Sequence, residues 1–436
     1  MKIHPPRLFA LTLCCASFLA AQAVDDTELK EVIIFGRHGV RTPVLPNQTI
    51  DAFSALPFPA FSVPGVSVLT PNGATNETNL GAYFHLWLKQ EGLLTGNDAA
   101  DASFVYFRAT ATPLITDTAK AFWTGMLPAA GPPKINVVSQ GSDPLFASVA
   151  AGVALLDYQM AVASVNGRLG ANPQALATAY APEFALTRSV LFHYPVDAAP
   201  VPAAPAGKLD VTDFTTTPIV VTAGNSASPI NLGGLNNVIY ATDPFVMEYA
   251  DGMPDAEIGW GQLTAAAISQ NFRLYNLALD LEYRTPYLAR VQSSNLASHI
   301  VRSLVQAATG NQMPGALASP NTKVIALIAA NTNIAGLAGL FHLDWLLPGY
   351  QADVSAPSGA LVFELRQSQS TGEYIVRTSY VAQTMDQLRN QTALTLDAPP
   401  ASAPVLIPGC SFDCPLEKFV RIANQAIDPN SADLVN

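Results

Sequence analysis

The chain has 436 residues, of which 49% are apolar and only 13% are charged. This composition is that of a folded protein with a large core and excludes an intrinsically disordered chain. The formal net charge is −11 with only 22 lysines and arginines, which excludes the broad basic face that nucleic-acid binding requires. If the ligand is an anion, a few well-placed cations must bind it.

The first 23 residues have the pattern of a secretory signal peptide. Lys2 and Arg7 supply the positive start of this segment. An apolar run over residues 8–21 follows, and residues 21–23 form an Ala-Gln-Ala cleavage site. An uncleaved membrane anchor is the alternative, but the apolar run is short for a membrane span. We therefore expect a secreted or periplasmic protein with no membrane attachment after cleavage.

Three apolar segments predict buried strands, each followed by a loop and a helix-like segment. They are EVIIF at residues 31–35, SFVYF at 103–107 and KVIALIAA at 323–330. Such an alternation predicts an α/β fold with a mainly parallel central sheet and helices on both faces. Ligands of these sheets bind beyond the carboxyl ends of the strands, so we expect the functional site in the loops after these strands.

The middle of the chain has a different pattern. Residues 196–210 are rich in alanine and proline, which predicts an exposed loop. Residues 262–283 carry apolar side chains at helical spacing. We interpret residues 141–310 as a mainly helical cap domain, inserted into an α/β domain that comprises residues 24–140 and 311–436.

Signal cleavage would remove Cys14 and Cys15 and leave Cys410 and Cys414 as a pair. In an exported protein such a pair can form a disulfide. Half of a metal site is the alternative, but no other cysteine would remain and no histidine is nearby in the sequence. We expect the disulfide, and we predict neither a metal nor a cofactor.

The segment IIFGRHGVRTP at residues 33–43 contains candidate catalytic residues. Arg37 and Arg41 flank His38, and their charges favour the neutral, nucleophilic imidazole. Guanidinium groups also bind phosphate oxygens in a bidentate manner, and Gly39 lets the backbone approach a ligand. At a strand end this combination predicts phosphoryl transfer to a histidine; a surface turn with incidental charges is the alternative.

The RHGxRxP motif is highly specific. With it, the chain resembles the histidine acid phosphatases, the two-domain branch of the histidine phosphatase superfamily. The resemblance covers nearly the whole chain after the signal peptide and includes segments similar to bacterial phytases and glucose-1-phosphatases. These segments are LTPNG at 69–73, DGMPDAEIGWG at 251–261, YRTPYLA at 283–289, LLPGY at 346–350 and LVFELR at 361–366.

The resemblance implies a mechanism. His38 would attack the phosphorus of a small phosphate monoester and form a phosphohistidine, which water then hydrolyses. Arg37 and Arg41 would bind the phosphate oxygens. A third arginine from a later loop and a histidine–aspartate pair at another strand end would complete the site, with the aspartate protonating the leaving oxygen.

The chain departs from this pattern at three positions. Aligned without a gap, Leu114 stands at the position of the third arginine. Ala330 and Asn331 replace the histidine–aspartate pair, although the Thr and Asn that follow match the family. Asn331 thus stands at the proton-donor position and cannot act as an acid. Because a general acid contributes on the order of 10²–10⁴ in rate, we expect weak activity or activity confined to good leaving groups.

Four other residues are candidates to compensate for these losses. Asp243 could reach the site from the cap, and Arg108 could act as a replacement cation. His342 and Asp344 lie about ten residues past the strand end, so we interpret them as capping or surface residues. The segment after Pro43 also lacks the lysine that phytases of this branch favour, which argues against phytate as the substrate.

Two functions remain in competition. The first is an exported phosphomonoesterase of histidine acid phosphatase type that acts through His38. The second is a pseudo-phosphatase that binds an anionic or phosphorylated ligand, as the residues Leu114, Ala330 and Asn331 suggest. A mutase or phosphotransferase is a third possibility, which the large cap and the export signal disfavour.

Overall fold

The computed structural model describes residues 25–433, so the predicted signal peptide lies outside the described residues. The strands are β1 (Thr27–Arg37), β2 (Val105–Ala109), β3 (Ile135–Asn136), β4 (Ile219–Ala223), β5 (Ile230–Gly233), β6 (Val324–Ala329), β7 (Ala360–Ser368), β8 (Tyr374–Ala382), β9 (Ala401–Pro404) and β10 (Cys414–Pro415). The helices are α1 (Asn47–Ile50), α2 (Pro71–Gln90), α3 (Asp98–Asp101), α4 (Pro113–Met126), α5 (Tyr158–Arg168), α6 (Ala175–Ala179), α7 (Ala181–Phe192), α8 (Gly234–Ala250), α9 (Ala265–Tyr283), α10 (Pro286–Thr309), α11 (Asn331–Phe341), α12 (Met385–Arg389) and α13 (Leu416–Ala426). Short 3₁₀ turns lie at Asp51–Phe53, Ala102–Phe104, Ile258–Gly261 and Pro429–Ser431.

The central sheet has the strand order β10–β8–β7–β1–β6–β2–β3, and β9 pairs with β8. On one side of β1, the strands β6, β2 and β3 all run parallel to it. On the other side β7 is antiparallel to both β1 and β8, so β8 again runs in the direction of β1. The predicted mainly parallel central sheet is confirmed. The antiparallel β7–β8 hairpin extends it on one side.

The register brings three strand ends to one edge of the sheet. Arg37 at the end of β1 lies opposite Ala329 at the end of β6, and Ala109 at the end of β2 lies opposite Ile328. The His38 amide then donates to the Ala329 carbonyl at 2.9 Å, which continues the pairing one step beyond the strands. The loops that follow β1, β2 and β6 therefore meet at this edge.

Helices cover both faces of the sheet, as predicted. Successive side chains of a strand point to opposite faces, and the buried side chains of β1 follow this rule. Val32 and Ile34 pack in a cluster with α2 and α4, whereas Ile33 and Phe35 pack on the other face with α10 and α11. Each face has its own apolar core, and the strands between them are buried on both sides.

Helices α2 and α4 cross at backbone contact because each has a glycine at the crossing. A Cβ atom on Gly81 of α2 would lie 2.2 Å from the Phe122 carbonyl oxygen, and one on Gly125 of α4 would lie 1.9 Å from the Thr78 carbonyl oxygen. These separations are shorter than van der Waals contact, so no larger residue fits at either position. The two helices form one tightly packed pair.

Between residues 141 and 310 the structure contains the six helices α5 to α10 and the two-stranded β4–β5 sheet. The β4–β5 hairpin was not expected from the sequence. Cys410 and Cys414 form the expected disulfide, with their Cα atoms 5.5 Å apart. Over residues 25–433, no helix has both the length and the apolar character that a membrane span needs.

Candidate active site

Arg37 is the last residue of β1 and is almost completely buried. Its Nη1 donates to the Ser355 carbonyl at 2.5 Å, while Nε and Nη2 have no hydrogen-bond partner within residues 25–433. Burial lowers the pKa of this guanidinium, and leaving two donors of a buried cation unpaired is costly. Nε and Nη2 together form the edge with which an arginine binds two oxygens of a phosphate.

His38 follows Arg37 and is buried at the edge of the sheet. Its Nδ1 lies 3.0 Å from the Gly39 carbonyl oxygen. Because a carbonyl can only accept, Nδ1 carries the proton and Nε2 keeps its lone pair. Burial lowers the pKa of His38 well below its usual range, and the charges of Arg37 and Arg41 lower it further. The imidazole is therefore neutral and nucleophilic at Nε2.

Arg41 is paired with a carboxylate from the helical region. Its Nη1 and Nη2 donate to the two oxygens of Asp243 on α8 at 2.8 and 3.0 Å, and both residues are buried. Burial alone would lower the pKa of Arg41, but the Asp243 carboxylate raises it. Asp243 does reach the site, as a partner of the cation. A phosphate that binds Arg41 has to share this guanidinium with Asp243 or displace it.

Two hydrogen bonds and one close side-chain approach hold the loop after β1. The Gly39 amide donates to Thr118 Oγ1 of α4 at 3.2 Å, and the Ser358 amide donates to the His38 carbonyl at 3.2 Å. A Cβ on Gly39 would lie 3.0 Å from Glu77 Oε1 of α2. Burial raises the pKa of Glu77 to about 8, so the group beneath the loop is uncharged at neutral pH.

The position of the third arginine lies at the start of α4. Leu114 packs there in the apolar cluster between α4 and the sheet. Arg108 on β2 donates to both oxygens of Asp143, at 2.7 and 3.1 Å. This bidentate pair resembles that of Arg41 with Asp243, so Arg108 would have to leave Asp143 in order to act as a replacement cation.

The position of the histidine–aspartate pair lies at the start of α11. Ala330 precedes the helix, and its amide donates to Asn333 Oδ1 at 3.2 Å. Asn333 Nδ2 donates in turn to the Phe146 carbonyl at 2.6 Å, which fixes the start of the helix. Asn331 is buried, and its amide donates to the hydroxyl of Tyr275 on α9 at 2.9 Å. The first amides of α11 have no partner inside the helix, which favours an anion at this end.

Sequence reasoning missed Tyr275. Helical spacing places it on the apolar face of residues 262–283, where a tyrosine is indistinguishable from a core residue. Only the fold shows that its hydroxyl faces Asn331 and that the charges of Arg37, Arg41 and Asp243 act on it. The pairing of α9 with α11 depends on contacts across more than 50 residues, which no local pattern contains.

The structure places His342 and Asp344 away from the three strand ends. His342 is exposed in the left-handed conformation that ends α11, and Asp344 is exposed and pairs with Arg284 at 2.6 Å. Asn331 begins the same helix, and a helix of 11 residues is roughly 16 Å long. The histidine and aspartate at its far end are therefore surface residues, consistent with our interpretation.

Comparison with known proteins agrees with the geometry. Residues 28–185 match the model of the histidine phosphatase superfamily (branch 2). The chain is 29% identical over 420 residues to phytase AppA of Escherichia coli, which covers 94% of each chain. It is 26% identical over 421 residues to a glucose-1-phosphatase of Salmonella typhimurium, covering 95% of this chain and 96% of that relative.

A solved structure of Hafnia alvei phytase in complex with myo-inositol hexakis sulphate superposes with a TM-score of 0.82. It is 29% identical in sequence, and the match covers 94% of this chain and 99% of that one. Residues 28–185 of the protein described here therefore carry a histidine phosphatase superfamily (branch 2) domain, and the chain resembles bacterial phytases and glucose-1-phosphatases over most of its length. This domain and these relatives support phosphatase activity.

Proposed function

We propose that this protein is an exported hydrolase of phosphate monoesters that forms a phosphohistidine at His38, and that its activity is weak or narrow. The observation that carries this proposal is the buried edge of Arg37, whose Nε and Nη2 have no hydrogen-bond partner in the part of the chain that the structure describes. These donors lie beside a neutral histidine with a free Nε2. A phosphate monoester would satisfy both donors while presenting its phosphorus to the nucleophile.

In the first chemical step, Nε2 of His38 forms a bond to phosphorus as the bond from phosphorus to the ester oxygen breaks. Arg37 and Arg41 stabilise the charge on the transferring group, and the start of α11 adds its partial positive charge. The Gly39 carbonyl holds Nδ1–H, which keeps the imidazole oriented. In the second step, water attacks phosphorus and releases His38.

The limited activity follows from the positions that lost their charge. Leu114 is apolar, Ala330 has no side-chain donor, and Asn331 has no proton to give. One missing transition-state donor costs on the order of 10²–10³ in rate. Aryl phosphates, whose leaving groups need little protonation, are therefore the substrates on which activity is highest.

The substrate we propose is a small phosphorylated molecule other than phytate. A cavity of about 140 Å³ adjoins Asn331 and Thr332. Its lining includes Tyr240, Tyr275 and Glu282 but no lysine or arginine. Arg37, His38 and Arg41 do not line this cavity, so it would receive only the part of a substrate that extends past Asn331. Because a ligand with several phosphates needs several cations, that part would carry no further phosphate.

Phosphohistidine trapping tests the proposal. Acid-quenched reactions with a reactive aryl phosphate should label His38, and His38→Asn should remove both the label and the turnover. His342→Asn is the matched control, because this exposed histidine ends α11 far from the site. Failure to label His38 at any pH from acid to neutral would contradict the proposal.

A pseudo-phosphatase that only binds a phosphorylated ligand is the second candidate. Leu114, Ala330 and Asn331 favour it, and so does the Asp243 carboxylate that already occupies Arg41. Tight binding of inorganic phosphate without label on His38 would establish this function. The retained neutral histidine argues for the enzyme, because binding alone does not require a nucleophile.

We also propose the domain division and the export given by the sequence. Residues 141–310 would form the cap, and residues 24–140 with 311–436 the α/β domain. Residues 1–23 would be cleaved on export to the periplasm or the medium. The disulfide between Cys410 and Cys414 supports an oxidising destination. Mass spectrometry of the protein recovered outside the cytoplasm should find an N-terminus at Val24.

A further inference from the structure

The phenol of Tyr275 contacts the residue that stands at the proton-donor position of the motif. Asn331, at the proton-donor position, donates from Nδ2 to Tyr275 Oη at 2.9 Å. Tyr275 is on α9, which packs against α11. The residue that cannot supply a proton is therefore hydrogen-bonded to one that can.

The Tyr275 hydroxyl is fixed in position, and its proton is free. Its ring stacks on Phe272 with centroids 4.9 Å apart and planes 12° from parallel. Asn331 occupies one lone pair of the oxygen. Among residues 25–433 the hydroxyl donates to no acceptor. A ligand oxygen beside Asn331 could receive this hydrogen bond.

Burial and the charged groups around Tyr275 shift its pKa in opposite directions. Burial raises the pKa of its phenol, and so does the Asp243 carboxylate of α8, whereas Arg37 and Arg41 lower it. Other titratable groups near it are Tyr283 of the same helix, together with Glu282 and Tyr240 on the adjoining cavity. A raised pKa means that the phenol keeps its proton through the neutral and mildly alkaline range.

We propose that Tyr275 protonates the leaving oxygen in place of the missing carboxylic acid. This inference rests on the proposed function, because it requires transfer of the phosphoryl group to His38. As Nε2 of His38 bonds to phosphorus, the ester oxygen leaves with its electron pair, takes the phenol proton and departs as an alcohol. Tyr275 becomes a phenolate, and the guanidinium groups of Arg37 and Arg41 stabilise that charge.

The second step restores both residues. Water attacks phosphorus, its proton passes to the Tyr275 phenolate, and the electron pair of the breaking N–P bond returns to Nε2 of His38. A phenol has an ordinary pKa of about 10, and burial raises the pKa of Tyr275 above that value. The proton is therefore held until negative charge develops on the leaving oxygen, which is when general-acid catalysis requires it.

Tyr275→Phe tests the role of the hydroxyl, because phenylalanine keeps the ring that stacks on Phe272. We expect kcat on an alkyl phosphate such as glycerol phosphate to fall by about 10²-fold or more, since a general acid contributes 10²–10⁴. On p-nitrophenyl phosphate, whose leaving group needs little protonation, we expect a fall of at most about threefold. Labelling of His38 by the aryl ester should persist.

Tyr249→Phe is the matched control. Tyr249 is on α8 and its hydroxyl donates to Asp386 at 2.9 Å, so this change should leave both rates unaltered. A rescue variant adds Asn331→Asp to Tyr275→Phe. We expect it to recover alkyl turnover at acid pH only, because a carboxylic acid loses its proton at lower pH than a phenol.

The possible outcomes separate the two proposals. An equal loss on alkyl and aryl esters in Tyr275→Phe would overturn the role of Tyr275 and leave phosphohistidine formation standing. The same holds if His38 is labelled but wild-type alkyl turnover does not exceed that of His38→Asn. If His38 is never labelled, the proposed function itself fails. Selective loss on alkyl esters with acid-limited rescue supports Tyr275 as the acid.

Discussion

The ends of β1 and β6 are neighbours in the same sheet and differ sharply in chemistry. The β1 end carries Arg37 and His38, with a free donor edge and a free Nε2. The β6 end, one strand away and in register, carries Ala330 and Asn331 with no charge. The two strand ends share one backbone register but differ in the charge and the nucleophile that their side chains supply.

The β6 end has the hydrogen bonds that fix the backbone at the start of α11. Asn333 still binds the Ala330 amide and the Phe146 carbonyl, and these bonds fix the start of α11. Losing Asn333 would leave buried backbone groups unpaired, which costs about 1–3 kcal/mol each. The side chains of Ala330 and Asn331 take no part in these two bonds. The start of α11 is therefore held independently of the chemistry that residues 330 and 331 supply.

The largest effect on activity should come from removing the charge of Arg37 at the end of β1. Arg37→Met removes a cation that contacts the phosphate, and we expect kcat on p-nitrophenyl phosphate to fall by on the order of 10²–10³. Because two donors of Arg37 are buried without a partner among the residues described, the free energy of unfolding should rise by about 1 kcal/mol. Assays and urea denaturation measure the two changes. Arg377→Ala, at a surface ion pair with Asp25 and Asp413, is the control for activity.

Restoring a histidine and an aspartate at the β6 end should have the next largest effect on activity. We expect Ala330→His with Asn331→Asp to raise turnover of alkyl phosphates by about tenfold or more at acid pH, because it adds a phosphate donor and a general acid. The gain is partial because Leu114 still replaces the third arginine. Steady-state kinetics of the double variant measure it. No gain at any pH would mean that residues 330 and 331 do not face the substrate or that Tyr275 already supplies the proton that Asn331→Asp would add.

A smaller effect should come from the carboxylate that occupies Arg41. Asp243→Asn keeps the shape of the side chain but removes a negative charge that competes with phosphate. We expect inorganic phosphate to bind about three- to tenfold more tightly, a change of about 1 kcal/mol. Isothermal titration calorimetry measures this affinity. Weaker binding would indicate that Asp243 serves chiefly to orient Arg41.

The smallest effect is a shift in pH dependence. Burial and the two arginines lower the pKa of His38, so the neutral imidazole should persist well into the acid range. Labelling of His38 should therefore continue below pH 6.5, the ordinary pKa of histidine. In Arg37→Met one of these charges is gone, so the acid limb of the labelling profile should move to higher pH. A profile that is identical in both proteins would contradict the electrostatic role of Arg37.

The sequence predicts the parts of the molecule whose signals are local. The apolar segments at residues 31–35 and 323–330 indicate β1 and β6, and the position of Arg37, His38 and Arg41 after β1 follows from the motif. No local signal predicts that Arg41 pairs with Asp243 or that Asn331 pairs with Tyr275. Both join the cap region to the sheet edge, and their partners are separated by 202 and 56 residues. Helical periodicity shows that these helices exist, but not which face meets the site.

The glycines at the crossing of α2 and α4 have a consequence for mutational tolerance. Gly81 and Gly125 bring two helices to backbone contact, and these helices carry Glu77 and Thr118 to the underside of the loop at Gly39. A methyl group at either glycine would push the helices apart and move both supports together. In a saturation-mutagenesis screen for function, these two positions should therefore tolerate as few substitutions as the site itself, although neither contacts the loop.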